Sequence, residues 1–163
     1  MNHPVKRFRH KWSRKGKKGK GKWLMKDLKH TKGSCLCGAV SVSFDREKDT
    51  FGACHCGMCR KWGGGPALTV DASANVQFSG EEFISTYSSS EWAERGFCKR
   101  CGTHLFYRLK QSGFHNFPLG LLEGTDHFQF HQQIFVDRKP EAYSFADKTE
   151  QMTEAEVYAK YSS

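Results

Sequence analysis

The sequence predicts a mainly β domain of short antiparallel strands that ends in one helix. Several short segments alternate apolar and polar residues and are bounded by glycine, serine or asparagine. A helical pattern appears only near the C-terminal end. The 163 residues, of which 37% are hydrophobic and 13% aromatic, are enough for a single domain with a real core.

The predicted strands follow from apolar residues at every second position. In AVSVSF (39–44), Val40, Val42 and Phe44 fall on one face of an extended segment. Further strands are predicted at 66–72, 75–80, 83–87, 94–98, 104–109 and 131–137. Segments 94–98 and 104–109 flank a cysteine-glycine turn, so they are expected to form a hairpin.

The predicted helix begins after Thr153. Thr153 and Glu156 have the spacing of a capping box, and Val157 and Tyr161 share one helical face. We therefore expect a C-terminal helix.

Charge divides the chain into two parts. Residues 1–32 hold thirteen Lys and Arg against one acid, a net charge of +12, whereas residues 33–163 have a net charge of −3. The first part is rich in lysine and glycine without an apolar period, which predicts a disordered basic tail and a domain boundary at Gly33. The tail is either a phosphate-binding segment, with Trp12 and Trp23 available for base stacking, or an extension from a mis-assigned start or without a role of its own.

The cysteine content and the absence of targeting signals favour a cytoplasmic protein. No apolar run approaches the roughly 18 residues that span a bilayer, and no apolar segment follows the basic start. Seven cysteines are an odd number, which argues against a disulfide framework. In a reducing compartment, clustered cysteines usually bind metal.

All seven cysteines fall into close groups. The groups are Cys35 and Cys37, then Cys54, Cys56 and Cys59, and finally Cys98 and Cys101. C-x-x-C before a glycine has the form of a zinc knuckle, and the two cysteines of C-x-C project to one side of an extended strand. Seven thiols divide naturally into a closed site of four and an open site of three, although the spacing does not force this partition. The three-cysteine group could also be completed by another cysteine or by His55.

The cysteine blocks resemble those of a known family. GSCLCGAV, CHCGMCRKWGGGP, ERGFCKRCGTHLF, PLGLLEG and HQQIFVDRKPEAY together are similar to the glutathione-dependent formaldehyde-activating enzymes, a family that includes centromere protein V. The resemblance covers about residues 33–161 and implies a two-zinc fold. It implies that Cys35, Cys37, Cys98 and Cys101 hold a structural zinc, and that Cys54, Cys56 and Cys59 hold a catalytic zinc whose fourth ligand is water or a substrate thiol.

The activity implied by the resemblance is that of a zinc-dependent carbon–sulfur lyase. It would join a thiol, glutathione by family default, to a small aldehyde such as formaldehyde and give S-hydroxymethylglutathione. Three thiolates leave a zinc centre with a charge of −1, and a metal lowers the pKa of an incoming thiol. The alternative is a non-catalytic zinc-supported binding module that contacts nucleic acid through the basic tail. No membrane partner is expected.

Five further residues lie near the cysteines in the sequence. His55 sits between two of them and should point away from both on an extended segment. His104 is expected to be a strand residue near the structural site. Arg60 and Lys61 are either solvated charges or groups that lower thiol pKa values and attract a carboxylate. Arg95 fits the family motif, but its spacing indicates no role.

Overall fold

The structure is a computed structural model that describes residues 28–161. The strands are Lys29–Ser34 (β1), Ser41–Arg46 (β2), Thr50–Cys54 (β3), Ala67–Asp71 (β4), Ala74–Ser79 (β5), Ile84–Tyr87 (β6), Ala93–Cys98 (β7), His104–Leu109 (β8), His115–Pro118 (β9), Gln129–Ile134 (β10) and Glu150–Met152 (β11). The helices are Gly57–Gly63 (α1) and Glu154–Tyr161 (α2). Within the described part of the chain, neither helix is long and apolar enough to cross a bilayer.

The strands form two sheets. The small sheet has the order β1-β2-β5, and the large sheet has the order β11-β10-β3-β4-β9-β8-β7-β6. Most neighbours are antiparallel, but β10 runs parallel to both β3 and β11. The prediction of a mainly β fold with a C-terminal helix is confirmed.

The predicted hairpin forms between β7 and β8. Its turn closes with a hydrogen bond from the Gly102 N–H to the Cys98 carbonyl at 2.8 Å, and Gly102 has a φ of 73°. Glycine adopts this left-handed conformation without a steric cost. The turn therefore brings Cys98 and Cys101 to one end of the hairpin.

Three of the predicted strands form, but their partners or their ends differ from what the sequence pattern suggests. Segments 66–72 and 75–80 become β4 and β5, which lie in different sheets because β4 is already paired on both edges with β3 and β9. The strand predicted at 131–137 ends at Ile134, since Phe135 has a φ of 58° and a 3₁₀ turn follows at Val136–Arg138.

The N-terminal strand overlaps the predicted basic tail. β1 begins at Lys29, so the predicted boundary at Gly33 falls inside this strand. Its sequence, KHTKGS, is polar, and β1 pairs with β2 along its whole length. Thr31 is only 4% exposed, and its hydroxyl accepts a hydrogen bond from the Arg46 side chain. Residues 1–27, where most of the predicted tail lies, are outside the described residues.

The core lies between the two sheets. Val40, Val42 and Phe44 are at most 3% exposed, as their alternation predicts. Phe44 of the small sheet stacks on Phe117 of the large sheet with ring centroids 4.5 Å apart. Burying each of these side chains contributes about 2 kcal/mol to the free energy of unfolding, so this contact helps hold the sheets together.

The C-terminal helix begins as predicted. The Thr153 N–H donates to Glu156 Oε2 at 2.7 Å, and the Glu156 N–H donates to Thr153 Oγ1 at 3.4 Å, which completes the capping box. Val157 is 7% exposed and anchors the helix.

Gly80 connects the small sheet to the large one and offers a test of the fold. It has a φ of 73°, and a Cβ there would lie 1.9 Å from the Ala39 carbonyl oxygen. Gly113 has a φ of 71° but open space around it. We expect Gly113→Ala to lower the free energy of unfolding by about 1 kcal/mol, from backbone conformation alone. Gly80→Ala should cost about 3 kcal/mol or more because the clash is added.

Chemical denaturation of the two glycine variants measures this difference. Equal losses would contradict the close approach of Ala39 to Gly80.

Candidate metal centre

Four thiols meet where the small and the large sheet approach each other. We call Cys35, Cys37, Cys98 and Cys101 the four-cysteine cluster, and their Sγ atoms all lie within 4.8 Å of one another. The Cys35–Cys37 and Cys37–Cys98 sulfur distances are 3.6 and 3.9 Å. A tetrahedral zinc with bonds of about 2.3 Å separates its sulfurs by about 3.8 Å. The cluster therefore fits a metal ion of this kind.

Hydrogen bonds from neighbouring groups favour the thiolate form of two cysteines in this cluster. The Val40 N–H donates to Cys35 Sγ at 3.3 Å. Hydrogen bonding to Thr103, through its hydroxyl first and then its backbone, lowers the pKa of Cys101 to about 5. Metal ligands must be thiolates, so a thiol already ionised at neutral pH binds a cation without losing a proton.

The other three cysteines meet where β3 gives way to α1. Cys54, Cys56 and Cys59 form the three-cysteine cluster, with all Sγ atoms within 4.8 Å. Cys54 ends β3, and Cys56 occupies the N-cap of α1 with an extended backbone. Its side chain accepts the Cys59 N–H at 3.4 Å, as a capping oxygen would. The strand-to-helix junction thus turns three cysteines to the same side.

The thiols of the three-cysteine cluster are strongly coupled. Hydrogen bonds from Cys54, and then from Cys59, lower the pKa of Cys56 to about 2. The same interaction with Cys56 raises the pKa of Cys54, and burial adds to the effect. The three thiols therefore do not ionise independently, and a metal ion bound here would displace the protons that they share.

His55 is fully buried and points away from the cluster, as its position between two cysteines predicts. Its Nε2 lies 3.0 Å from Gln133 Oε1, and its Nδ1 lies 2.9 Å from the Tyr143 hydroxyl. Gln133 Nε2 donates to Thr149 at 2.8 Å, which orients the amide oxygen toward the histidine. Nε2 is therefore assigned as the protonated nitrogen and Nδ1 as the acceptor. Burial lowers the pKa of His55, which keeps the ring neutral.

A cavity of about 1100 Å³ opens beside the three-cysteine cluster. All three cysteines of the cluster line the cavity wall, together with Trp62, Arg95 and Tyr107. Among the described residues that line this cavity, none belongs to the four-cysteine cluster. This cavity is thus next to the three-cysteine cluster and not to the four-cysteine cluster.

The charged residues that follow the cluster have different surroundings. Arg60 lines the cavity and donates from Nε to the His55 carbonyl at 3.0 Å, which fixes its stem. Lys61 is exposed. The reading of Lys61 as a solvated charge agrees with this exposure, whereas Arg60 is available to a ligand in the cavity.

Sequence reasoning missed the contacts that β7 and β8 make with the cluster. Arg95 and Tyr107 are register partners in the hairpin, and both line the cavity. Burial raises the pKa of Tyr107 to about 12. His104 stacks on Trp62 with centroids 4.6 Å apart, and burial followed by the charge of Arg95 lowers the pKa of His104. The predicted hairpin of 94–98 and 104–109 was the signal that could have placed Arg95 near Tyr107, although no register was predicted for it.

The family model of the glutathione-dependent formaldehyde-activating enzymes matches residues 30–138 of the chain. The chain belongs to this family. Its two cysteine clusters are grouped in the four-plus-three division that the resemblance implied, and both can hold metal ions.

Two further proteins are similar to this family member. An uncharacterized lyase of Schizosaccharomyces pombe is 36% identical over 128 residues, which are 77% of this chain and 92% of the relative. A crystal structure of a Rhodobacter sphaeroides protein has a TM-score of 0.49 and 25% identity, over 57% of this chain and 88% of that chain.

The hydrogen bonds of His55 give a test of its role. His55→Phe keeps the ring volume but leaves Gln133 and Tyr143 without their partner. We expect a loss of about 1–3 kcal/mol in the free energy of unfolding, from two buried polar groups left unpaired. Metal content, measured by native mass spectrometry, should not change. Loss of one metal ion from a variant of unchanged thermal stability would instead identify His55 as a ligand.

Proposed function

We propose that this family member is a zinc-dependent carbon–sulfur lyase that joins a thiol to a small aldehyde. Glutathione and formaldehyde are the proposed substrates, and S-hydroxymethylglutathione is the proposed product. Membership of the formaldehyde-activating family and the likeness to a lyase support the enzyme class. The observation that carries the proposal is the contrast between a cluster of four thiols and a cluster of three in a cavity wall.

The donor sets support different roles for the two clusters. Four thiols complete a tetrahedral zinc site, which is the usual form of a structural site. The three-cysteine cluster leaves one coordination position, and His55 is turned away with both nitrogens engaged. When bound there, zinc would supply the Lewis acidity that lowers the pKa of an incoming thiol.

The proposed reaction needs little beyond a positioned thiolate. The thiol sulfur attacks the aldehyde carbon, a C–S bond forms, and the π electrons of the C=O bond move to oxygen. The proton released by the thiol ends on that oxygen, so the atoms balance without a redox partner. Trp62 and Tyr107 line the cavity wall and give an aldehyde an aromatic surface to pack against. Arg60 lies in the same wall and offers a positive charge to a carboxylate of glutathione.

The two clusters should respond differently to loss of a cysteine. Cys98 is 0% exposed and joins elements of both sheets, so Cys98→Ser should cause unfolding or aggregation, because metal binding at a structural site contributes folding free energy of about 10 kcal/mol. Cys56→Ser should leave a folded domain that binds one zinc instead of two and has lost its activity. Native mass spectrometry and thermal unfolding measure both quantities.

Wild-type protein purified under reducing conditions is the reference and should contain two zinc ions. Equal thermal stability of Cys98→Ser and Cys56→Ser would refute the division of roles, and one zinc in the wild type would refute the stoichiometry.

The fourth position of the three-cysteine cluster can be tested by X-ray absorption. In protein with zinc in both clusters, we expect an average of about 3.5 sulfurs and 0.5 light ligands per zinc, and about four sulfurs per zinc after glutathione is added. A zinc–sulfur bond of about 2.3 Å is distinguishable from a zinc–oxygen bond near 2.0 Å. Formaldehyde should then exchange with the hemithioacetal faster than without the enzyme, as measured by magnetisation-transfer NMR.

S-methylglutathione is the matched control because it keeps the carboxylates and lacks the thiol, so it should change nothing. Cys59→Ser should show neither the spectral change nor the accelerated exchange. Four sulfurs, or a nitrogen, before any thiol is added would show a closed site and favour a binding module.

A further inference from the structure

Arg95 is a buried cation beside the three-cysteine cluster. Arg95 is 6% exposed, and its Nη2 lies 3.5 Å from Cys59 Sγ. It belongs to β7 and lines the same cavity as the three cysteines.

Arg95 lacks the partner that a buried arginine normally has. Within residues 28–161, no carboxylate forms an ion pair with Arg95, and the adjacent Glu94 pairs with Arg108 instead. A buried charge without a counter-charge is costly. Among the described residues, the Arg95 side chain donates its hydrogen bond to Cys59 Sγ.

Aromatic rings hold the guanidinium in this position. Its central carbon lies 5.2 Å from the centroid of the Tyr107 ring and 5.9 Å from that of the Trp62 ring. Tyr107 is its register partner on β8, and Trp62 stands on α1, the helix that also carries Cys59. The strand pairing and the helix therefore both aim Arg95 at the cluster.

The missing counter-charge is supplied when a metal binds. Three thiolates and one divalent zinc carry a net charge of −1, and a fourth thiolate would bring this to −2. A cation held in contact with one of the sulfurs stabilises both states, and the second more than the first.

We infer that Arg95 is the counter-cation of the three-cysteine metal centre, a positioning residue that raises its affinity for zinc and for an incoming thiolate. The first part rests on the cluster geometry, and the second part rests on the proposed function.

Zinc affinity measured without any thiol tests the first part. Chelator competition on zinc-loaded protein should show that Arg95→Gln lowers the zinc affinity of the three-cysteine cluster 10- to 100-fold. Glutamine keeps hydrogen-bond donors but lacks the charge. Arg95→Lys keeps the charge and should lose less than 10-fold. The zinc of the four-cysteine cluster should be unchanged in both variants.

Arg46 provides a matched control. It is also 6% exposed and lies over an aromatic ring, that of Phe128, at 4.6 Å. It pairs with Asp49 at 2.7 Å and stands on β2, in the small sheet. Arg46→Gln should therefore lower thermal stability and leave zinc affinity at the three-cysteine cluster unchanged.

The second part is tested with 2-mercaptoethanol, a thiol without a carboxylate. In protein loaded with cobalt at the three-cysteine cluster, thiol entry changes the thiolate-to-cobalt absorption bands, and the half-saturating concentration should rise about tenfold in Arg95→Gln. A wild-type spectrum that does not respond to thiol would refute the proposed function while leaving the zinc-affinity result intact.

Equal zinc affinities of the wild type, Arg95→Gln and Arg95→Lys would overturn the inference. So would an equal loss in Arg95→Gln and Arg95→Lys, since that would assign the effect to shape instead of charge. A rise in half-saturating concentration for glutathione but not for 2-mercaptoethanol would make Arg95 a carboxylate-binding residue and overturn the second part.

Discussion

The four-cysteine cluster links a loop of the small sheet to a turn of the large sheet, and the position of the cavity wall depends on it. Cys35 and Cys37 belong to the loop between β1 and β2, whereas Cys98 and Cys101 belong to the β7–β8 turn. The sulfurs of Cys37 and Cys98 are 3.9 Å apart across 61 residues of sequence. Thiolates at this separation repel each other unless a cation lies between them. Where the sheets meet, the four sulfurs can therefore be both close together and ionised only if a metal ion lies among them.

This joint also places the wall of the cavity. β7 ends at Cys98 and carries Arg95 three residues earlier, and β8 begins at His104, three residues after Cys101. His104 stacks on Trp62 of α1. A change in the β7–β8 turn would thus move the cation and the aromatic rings that face the three-cysteine cluster. The two clusters are separate sites, but they share one hairpin.

The sequence predicted what depends on local pattern. Val40, Val42 and Phe44 alternate because one face of β2 is buried, and the capping box at Thr153 is complete within four residues. The cysteine groups were equally visible, since their members are two or three positions apart. β1 escaped prediction because its residues are mostly polar and exposed, and the pairing with β2 that makes it a strand is not encoded in a local pattern.

The long-range arrangement could not be predicted from the residues alone. Which cysteines share a cluster depends on how a loop of the small sheet meets a turn of the large one. The count of seven suggested a division into four and three, but the family resemblance assigned the members of each group. Arg95 was recognised as part of a motif without a role, because its contact with Cys59 crosses from β7 to α1. The segment 57–63 lacks an apolar period, so α1 was not predicted, although Gly64 at its C-terminal end has the φ of 78° that stops many helices.

The buried hydrogen bonds of His55 have a consequence for the speed of metal exchange. They anchor the backbone between Cys54 and Cys56 to Gln133 on β10 and to Tyr143, so two of the three sulfurs are carried by a segment with little freedom. A ligand set of this kind has given up its conformational entropy during folding and does not need to order itself around an arriving ion. Release is slowed for the same reason, because a sulfur that leaves the metal cannot swing far and is poised to rebind. A metal ion bound at the three-cysteine cluster is therefore expected to exchange slowly with metal in solution.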